Sequence, residues 1–204
     1  MAAATTGAES ATAGATPAPA SNKWAWEGQV ASAVPAATAD EAWALLSDFL
    51  AFHRWHPRVA ACRLASGTPR APGCVRYCEG TPHADAAAPP DWAHETLLEH
   101  DPDLRFFRYE MNDNNMGFAR FFATFRVVPS SGGGGGCELR WEFQCDPVRG
   151  TPRDALVARL QAGLDGMAAR VRDHVLAARA AGAGAAAAGL EAADELKLGN
   201  SIAV

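Results

Sequence analysis

The chain has 204 residues, with 18 Lys+Arg against 23 Asp+Glu, a net charge of -5 and a pI near 5.6. That length holds one ordinary domain plus tails, and the acidic balance lacks the clustered positive charge that nucleic acid or an anionic membrane surface requires. No run approaches the roughly 18 to 20 apolar residues of a membrane span.

Residues 1–22 are Ala, Thr, Ser, Gly and Pro with one charge, Glu9. Nothing large is available to bury, so ordering this segment costs backbone entropy without return, and it is expected to be a disordered tail. Neither a secretory signal nor an arginine-rich transit peptide is visible there. The domain is expected to begin at Lys23, where Trp24, Trp26, Gly28 and Val30 alternate with smaller or polar residues as in a strand. Thr38 and Glu41 form a capping box that opens a short helix with Ala42, Leu45, Leu46 and Phe49 on its apolar face. A second short helix is expected over Leu50–Trp55, ending before Pro57. His53 and His56 lack an acidic partner or a third ligand in sequence and read as a surface cluster packed by Trp55, with no metal.

Six strand-like runs follow: Val59–Ala65, Cys74–Glu79, Trp92–Glu99, Leu104–Met111, Phe118–Val128 and Cys137–Asp146. Gly/Pro/Asn-rich breaks separate them, as in an antiparallel meander, and the glycines at 132–136 read as a hairpin loop. After Thr151-Pro152, the residues Leu156, Leu160, Leu164, Met167, Val171 and Val175 recur at steps of three or four. They define one apolar stripe on a helix of about seven turns, with no long helix to pair with, so it must lie on the sheet. The small residues Ala162, Gly163 and Gly166 on that helix are expected to widen any space beneath it. Residues 179–204 are again Ala- and Gly-rich and read as a mobile tail, although alanine favours extension of the helix.

This order predicts an α+β helix-grip fold over residues 23–178, in which a curved seven-stranded antiparallel sheet wraps a long C-terminal helix around a ligand cavity. The five cysteines are odd in number and lack both CxxC and zinc spacing. Cys74 and Cys78, four apart in one strand, stand roughly 13 Å from each other, beyond the reach of a direct bridge. The thiols are expected to be reduced and the setting cytoplasmic.

Several stretches resemble the plant lachrymatory-factor synthases and their relatives in the START-like, polyketide cyclase/dehydrase and birch-pollen-allergen superfamily. They are Lys23-Trp24, Val34-Pro35 through Glu41-Ala-Trp43-Ala-Leu45-Leu46 and Asp48-Phe49, Gly73-Cys-Val-Arg76-Tyr77, Glu79-Gly80, Trp92-Ala-His-Glu95 and Phe143-Gln-Cys145. The likeness runs from Lys23 to Ala178. It implies a cofactor-free isomerisation of a small alkenyl sulfenic acid to a thial S-oxide, with an arginine holding the sulfur–oxygen end, a glutamate moving a proton and a tyrosine assisting. Arg76 falls at the arginine position, Glu95 at the glutamate position and Phe121 at the tyrosine position. A ring without its hydroxyl forfeits one donor to the reacting oxygen, a loss that commonly costs about 100- to 1000-fold in rate. Tyr77 and Tyr109 are candidates to supply it from other strands, although Tyr77, next to Arg76, should face away.

The wall of the cavity is expected to come from Leu97, Phe121, Trp141, Phe143, Leu160 and Leu164. The ligand is expected to be small and hydrophobic or amphipathic, the chain monomeric, and the alternative to catalysis is non-catalytic binding or transport of a hydrophobic metabolite or lipid.

Overall fold

The structure, a computed structural model, describes residues 24–84, 87–131 and 135–199. The N-terminal tail and Lys23, the middle of the glycine loop and residues 200–204 lie outside the described residues.

Strand β1 spans Trp26–Val34, followed by helix α1 (Ala39–Leu46), a 3-10 turn over Phe49–Ala51 and helix α2 (Phe52–Trp55). The strands β2 (Val59–Ser66), β3 (Val75–Gly80), β4 (Trp92–Asp101), β5 (Phe106–Asn114), β6 (Phe121–Pro129) and β7 (Cys137–Cys145) precede the long helix α3 (Arg153–Gly199). They form one seven-stranded sheet in the order β1-β7-β6-β5-β4-β3-β2, antiparallel throughout. This is the helix-grip α+β fold that the chain order predicts.

Local chemistry sets the short helices. Thr38 Oγ1 accepts from the Glu41 amide at 3.2 Å, and Glu41 Oε2 accepts from the Thr38 amide at 2.8 Å, so both ends of the capping box close. Arg179 of α3 donates to both Glu41 oxygens at 2.9 Å, tying α1 to the grip helix. The Thr38 amide, and then Arg179, hold the Glu41 carboxyl down at about 2. α2 stops at its cap His56, immediately before Pro57.

Alternation sorts the strands. Cys137, Leu139, Trp141, Phe143 and Cys145 of β7 and Phe121, Ala123, Phe125 and Val127 of β6 are all buried on the inner face. The α3 stripe, from Leu156 to Val175, is buried against that face. Bulges interrupt β4–β5 between Ala93 and Glu95 and between Leu97 and Glu99, and β2–β3 at two further points. Each bulge adds bend and twist, which curls this half of the sheet around the helix. α3 continues past residue 178 through the alanine run to Gly199.

The expectation of five reduced thiols is corrected here. Cys62 stands opposite Cys78 in the β2–β3 register, their alpha carbons are 4.4 Å apart, and the two form a disulfide. Cys74, Cys137 and Cys145 are free and buried, and burial pushes the thiols of Cys137 and Cys145 up to about 11, so they pack as small apolar residues.

Candidate functional site

Arg76 and Glu95 are register partners on β3 and β4 and both point to the inner face. They are the buried charged residues of the described core, 1 % and 6 % exposed. Arg76 Nε donates to Glu95 Oε2 at 2.6 Å, and Nη1 donates to the carbonyl of Phe49 at 2.6 Å. The guanidinium carbon lies 3.9 Å from the centre of the Phe49 ring and 4.4 Å from that of Phe52, with the Tyr109 ring at 5.3 Å. An apolar setting of this kind suits arginine, which is weakly hydrated and stacks on aromatic faces. Nη2 has no hydrogen-bond partner among the described residues.

Beside this pair lies a cavity of about 340 Å³. Glu95 is part of its wall, whereas Arg76 sits one layer behind. The carboxylate thus has one oxygen fixed by Arg76, while Oε1 has no hydrogen-bond partner among the described residues. The surrounding wall is mostly apolar, with Met111, Phe118, Phe121, Trp141, Leu156 and Leu160.

Of the expected wall residues, the structure places Phe121, Trp141 and Leu160 on the cavity. Leu97, Phe143 and Leu164 face inward but are packed into the core behind it, a correction in depth rather than in face. Phe143, for example, stacks against Phe121 with ring centres 6.4 Å apart and so backs the wall.

Tyr109 is a polar group of the site that the sequence left unplaced. It lies on β5 opposite Leu97 and Ala123, is buried, and lines the cavity. Its hydroxyl oxygen accepts from Trp141 Nε1 at 3.1 Å, which leaves its own proton free to donate. Burial, reinforced by the negative charge of Glu95, pushes its pKa far up, so the phenol stays protonated. A signal was present: Phe107, Tyr109 and Met111 alternate with Arg108 and Glu110, which puts Tyr109 on the apolar side. Tyr77 faces outward, as expected, with Trp92 and His94 beside it.

The surface reading of His56 is overturned. Its ring lines the cavity, packs on Phe52 with centres 4.8 Å apart and meets Trp141 edge-on. Gly163 makes room for it, since a Cβ there would collide with His56 Nε2, and Pro57 fills the space at Gly166 in the same way. These small helix residues therefore admit side chains of the α2–β2 segment instead of enlarging the cavity. Nδ1 accepts from the Arg58 amide at 3.2 Å, so the ring proton resides on Nε2. Burial, then the charges of Arg58, Arg76, Arg159 and Arg170, push the imidazole down to about 3. Between that value and the ordinary one near 6.5, only the unfolded chain takes up the proton. This contribution to stability is full above about pH 6.5 and is lost as the pH falls toward 3, at up to about 1.4 kcal/mol per pH unit. Urea titrations should therefore show the natural chain losing stability more steeply than His56→Phe between about pH 6 and pH 4. Parallel losses would contradict this burial.

Half-buried Arg159 and Asp91 and exposed His83 also line the cavity. Arg159 of α3 donates to Asp91 at 2.6 Å and lies 3.3 Å from the Met116 sulfur, and His83 stands 3.4 Å from Asp91. Among the described residues no three His, Cys, Asp or Glu side chains converge in a metal-binding arrangement, and no helix is long and apolar enough to cross a membrane.

Residues 29–172 match the family model described as polyketide cyclase / dehydrase and lipid transport. Among solved structures, a Thermobifida fusca protein is similar at 28 % identity and a TM-score of 0.55, covering 71 % of this chain and 92 % of its own. A START superfamily protein from Mycobacterium smegmatis aligns at 15 % identity, TM-score 0.55, over 73 % of this chain and 96 % of that one. Ara h 8.0201 aligns at 12 % identity, TM-score 0.56, over 74 % and 98 %. At such identities the last two speak for the fold alone.

Proposed function

The chain belongs to the polyketide cyclase/dehydrase and lipid transport family, and from that premise we propose that its cavity binds a small amphipathic metabolite and that Glu95, held by Arg76, exchanges a proton with it without a cofactor. One observation carries this reading: a buried carboxylate on the wall of a mostly apolar cavity, with one oxygen fixed by a guanidinium and the other without a hydrogen-bond partner among the described residues. Such a carboxylate is positioned for general acid–base work, since its geometry is set before the ligand arrives.

For an alkenyl sulfenic acid, the substrate class of the resembling synthases, the step balances with no other reactant. Glu95 takes the proton of the S–O–H group and returns one to the alkenyl carbon, while the double bond shifts onto the carbon–sulfur bond. The Tyr109 hydroxyl, with its oxygen anchored by Trp141, has a proton to donate to the oxygen as charge develops there. It offers the donor that Phe121 lacks.

The test supplies an alkenyl cysteine sulfoxide with a lyase that releases the sulfenic acid and follows the thial S-oxide by mass spectrometry. The natural chain should raise product above lyase alone, Glu95→Gln should abolish the gain, and Tyr109→Phe should lower it about 100- to 1000-fold. Equal product with natural chain and Glu95→Gln would remove the catalytic reading.

The second reading is non-catalytic carriage of a hydrophobic metabolite. It is favoured by the family's lipid-transport members and by the missing hydroxyl at Phe121. Under it, ligands would bind and leave unchanged.

A further inference from the structure

We propose that the mouth of the cavity is a subsite for an anionic group, held by Arg58 together with Arg159, and that the ligand is therefore an amphipathic acid whose opposite, reactive end meets Glu95. This rests on the reading of the cavity as a binding site and adds the class of molecule it takes.

The charges on the wall are Arg58, Glu79, Asp91, Glu95 and Arg159. Every acid among them is engaged. Glu95 is bound by Arg76, Asp91 by Arg159 with His83 nearby, and Glu79 accepts from the Tyr77 hydroxyl at 2.9 Å. Arg58 is different: its exposed side chain has no hydrogen bond or ion pair among the described residues. Arg159 spends only Nη2 on Asp91 and Met116, and its Nε and Nη1 make no hydrogen bond there. Two arginines with unused donors thus line one cavity in a chain whose net charge is -5.

The backbone of Arg58 is held on both sides. Its amide donates to His56 Nδ1, and its carbonyl accepts from the Thr81 amide at 3.0 Å, so the backbone is pinned between the α2–β2 segment and the strand end beyond β3. Planar guanidinium donors match a carboxylate or related oxyanion in pairs. Among the described residues the interior offers no further free cation, because the Arg76 guanidinium lies behind the wall and is bound to Glu95. The acid end therefore belongs outside and the reacting end inside. A volume of about 340 Å³ is near the small end of the usual range of roughly 300–1,000 Å³ for ligand pockets, which suits a medium-length chain.

The test compares two molecules of equal chain length, ω-hydroxydecanoate and decanediol, in displacing the neutral fluorophore N-phenyl-naphthylamine from the natural chain. The acid should displace it at about tenfold lower concentration than the diol, as charge-assisted hydrogen bonds at a partly dehydrated mouth imply. Arg58→Gln should bring the acid to the level of the diol and leave the diol unchanged, and added salt should erode the advantage of the acid alone. Equal displacement by both compounds from the natural chain overturns the subsite, as does an Arg58→Gln variant that weakens both alike. Failure of the fluorophore and both compounds to bind at all would instead overturn the cavity reading, and the subsite with it.

Discussion

Arg76→Met should lower the unfolding free energy by about 3–5 kcal/mol, because it leaves the Glu95 carboxylate buried without its cation. Glu95→Leu should do comparable damage from the other side, stranding a guanidinium among Phe49, Phe52 and Tyr109. The double variant Arg76→Met/Glu95→Leu should be much closer to the natural chain than the sum of the two, since both desolvation costs disappear together. Urea unfolding of the four chains measures this directly. Additive losses would mean that the two groups are not a desolvated pair.

Phe49→Ala should cost about 3–5 kcal/mol by deleting a fully buried ring. The ring also contacts Phe107 edge-on at 5.7 Å and covers one face of Arg76 at 3.9 Å. Phe49→Leu separates these roles. It keeps most of the buried apolar area and the carbonyl that accepts from Arg76 Nη1, and loses the aromatic face under the cation. Its cost should exceed the volume change by about 0.5–2 kcal/mol. A Phe49→Leu loss that persists undiminished in the Arg76→Met background would show that the ring acts through packing alone.

The element order was legible because each element repeats its own signal. Leu156 to Val175 mark one helix face six times over, and β6 and β7 alternate without a break. The Thr38–Glu41 box is read from two residues and needs nothing distant. Depth was not legible. Alternation tells which face Leu97, Phe143 and Leu164 occupy, but whether a side chain borders space or another side chain depends on the whole opposite surface. His56 escaped for a related reason: its burial depends on a gap at Gly163, more than a hundred residues away. The Cys62–Cys78 bridge depends on the register of a bulged edge pair, which spacing along the chain does not encode. Arg76 and Glu95 came from resemblance, and the register that sets them opposite each other is what the fold adds.

The central claim is a hollow interior with the Arg76-bound carboxylate of Glu95 on its wall, and saturation binding of N-phenyl-naphthylamine tests it most directly. The natural chain should bind one probe per molecule, and Leu160→Trp, which places a large ring in the cavity beside Trp141 while keeping the helix stripe apolar, should abolish binding without abolishing cooperative unfolding. No saturable binding by the natural chain, or binding that Leu160→Trp leaves intact, would contradict it.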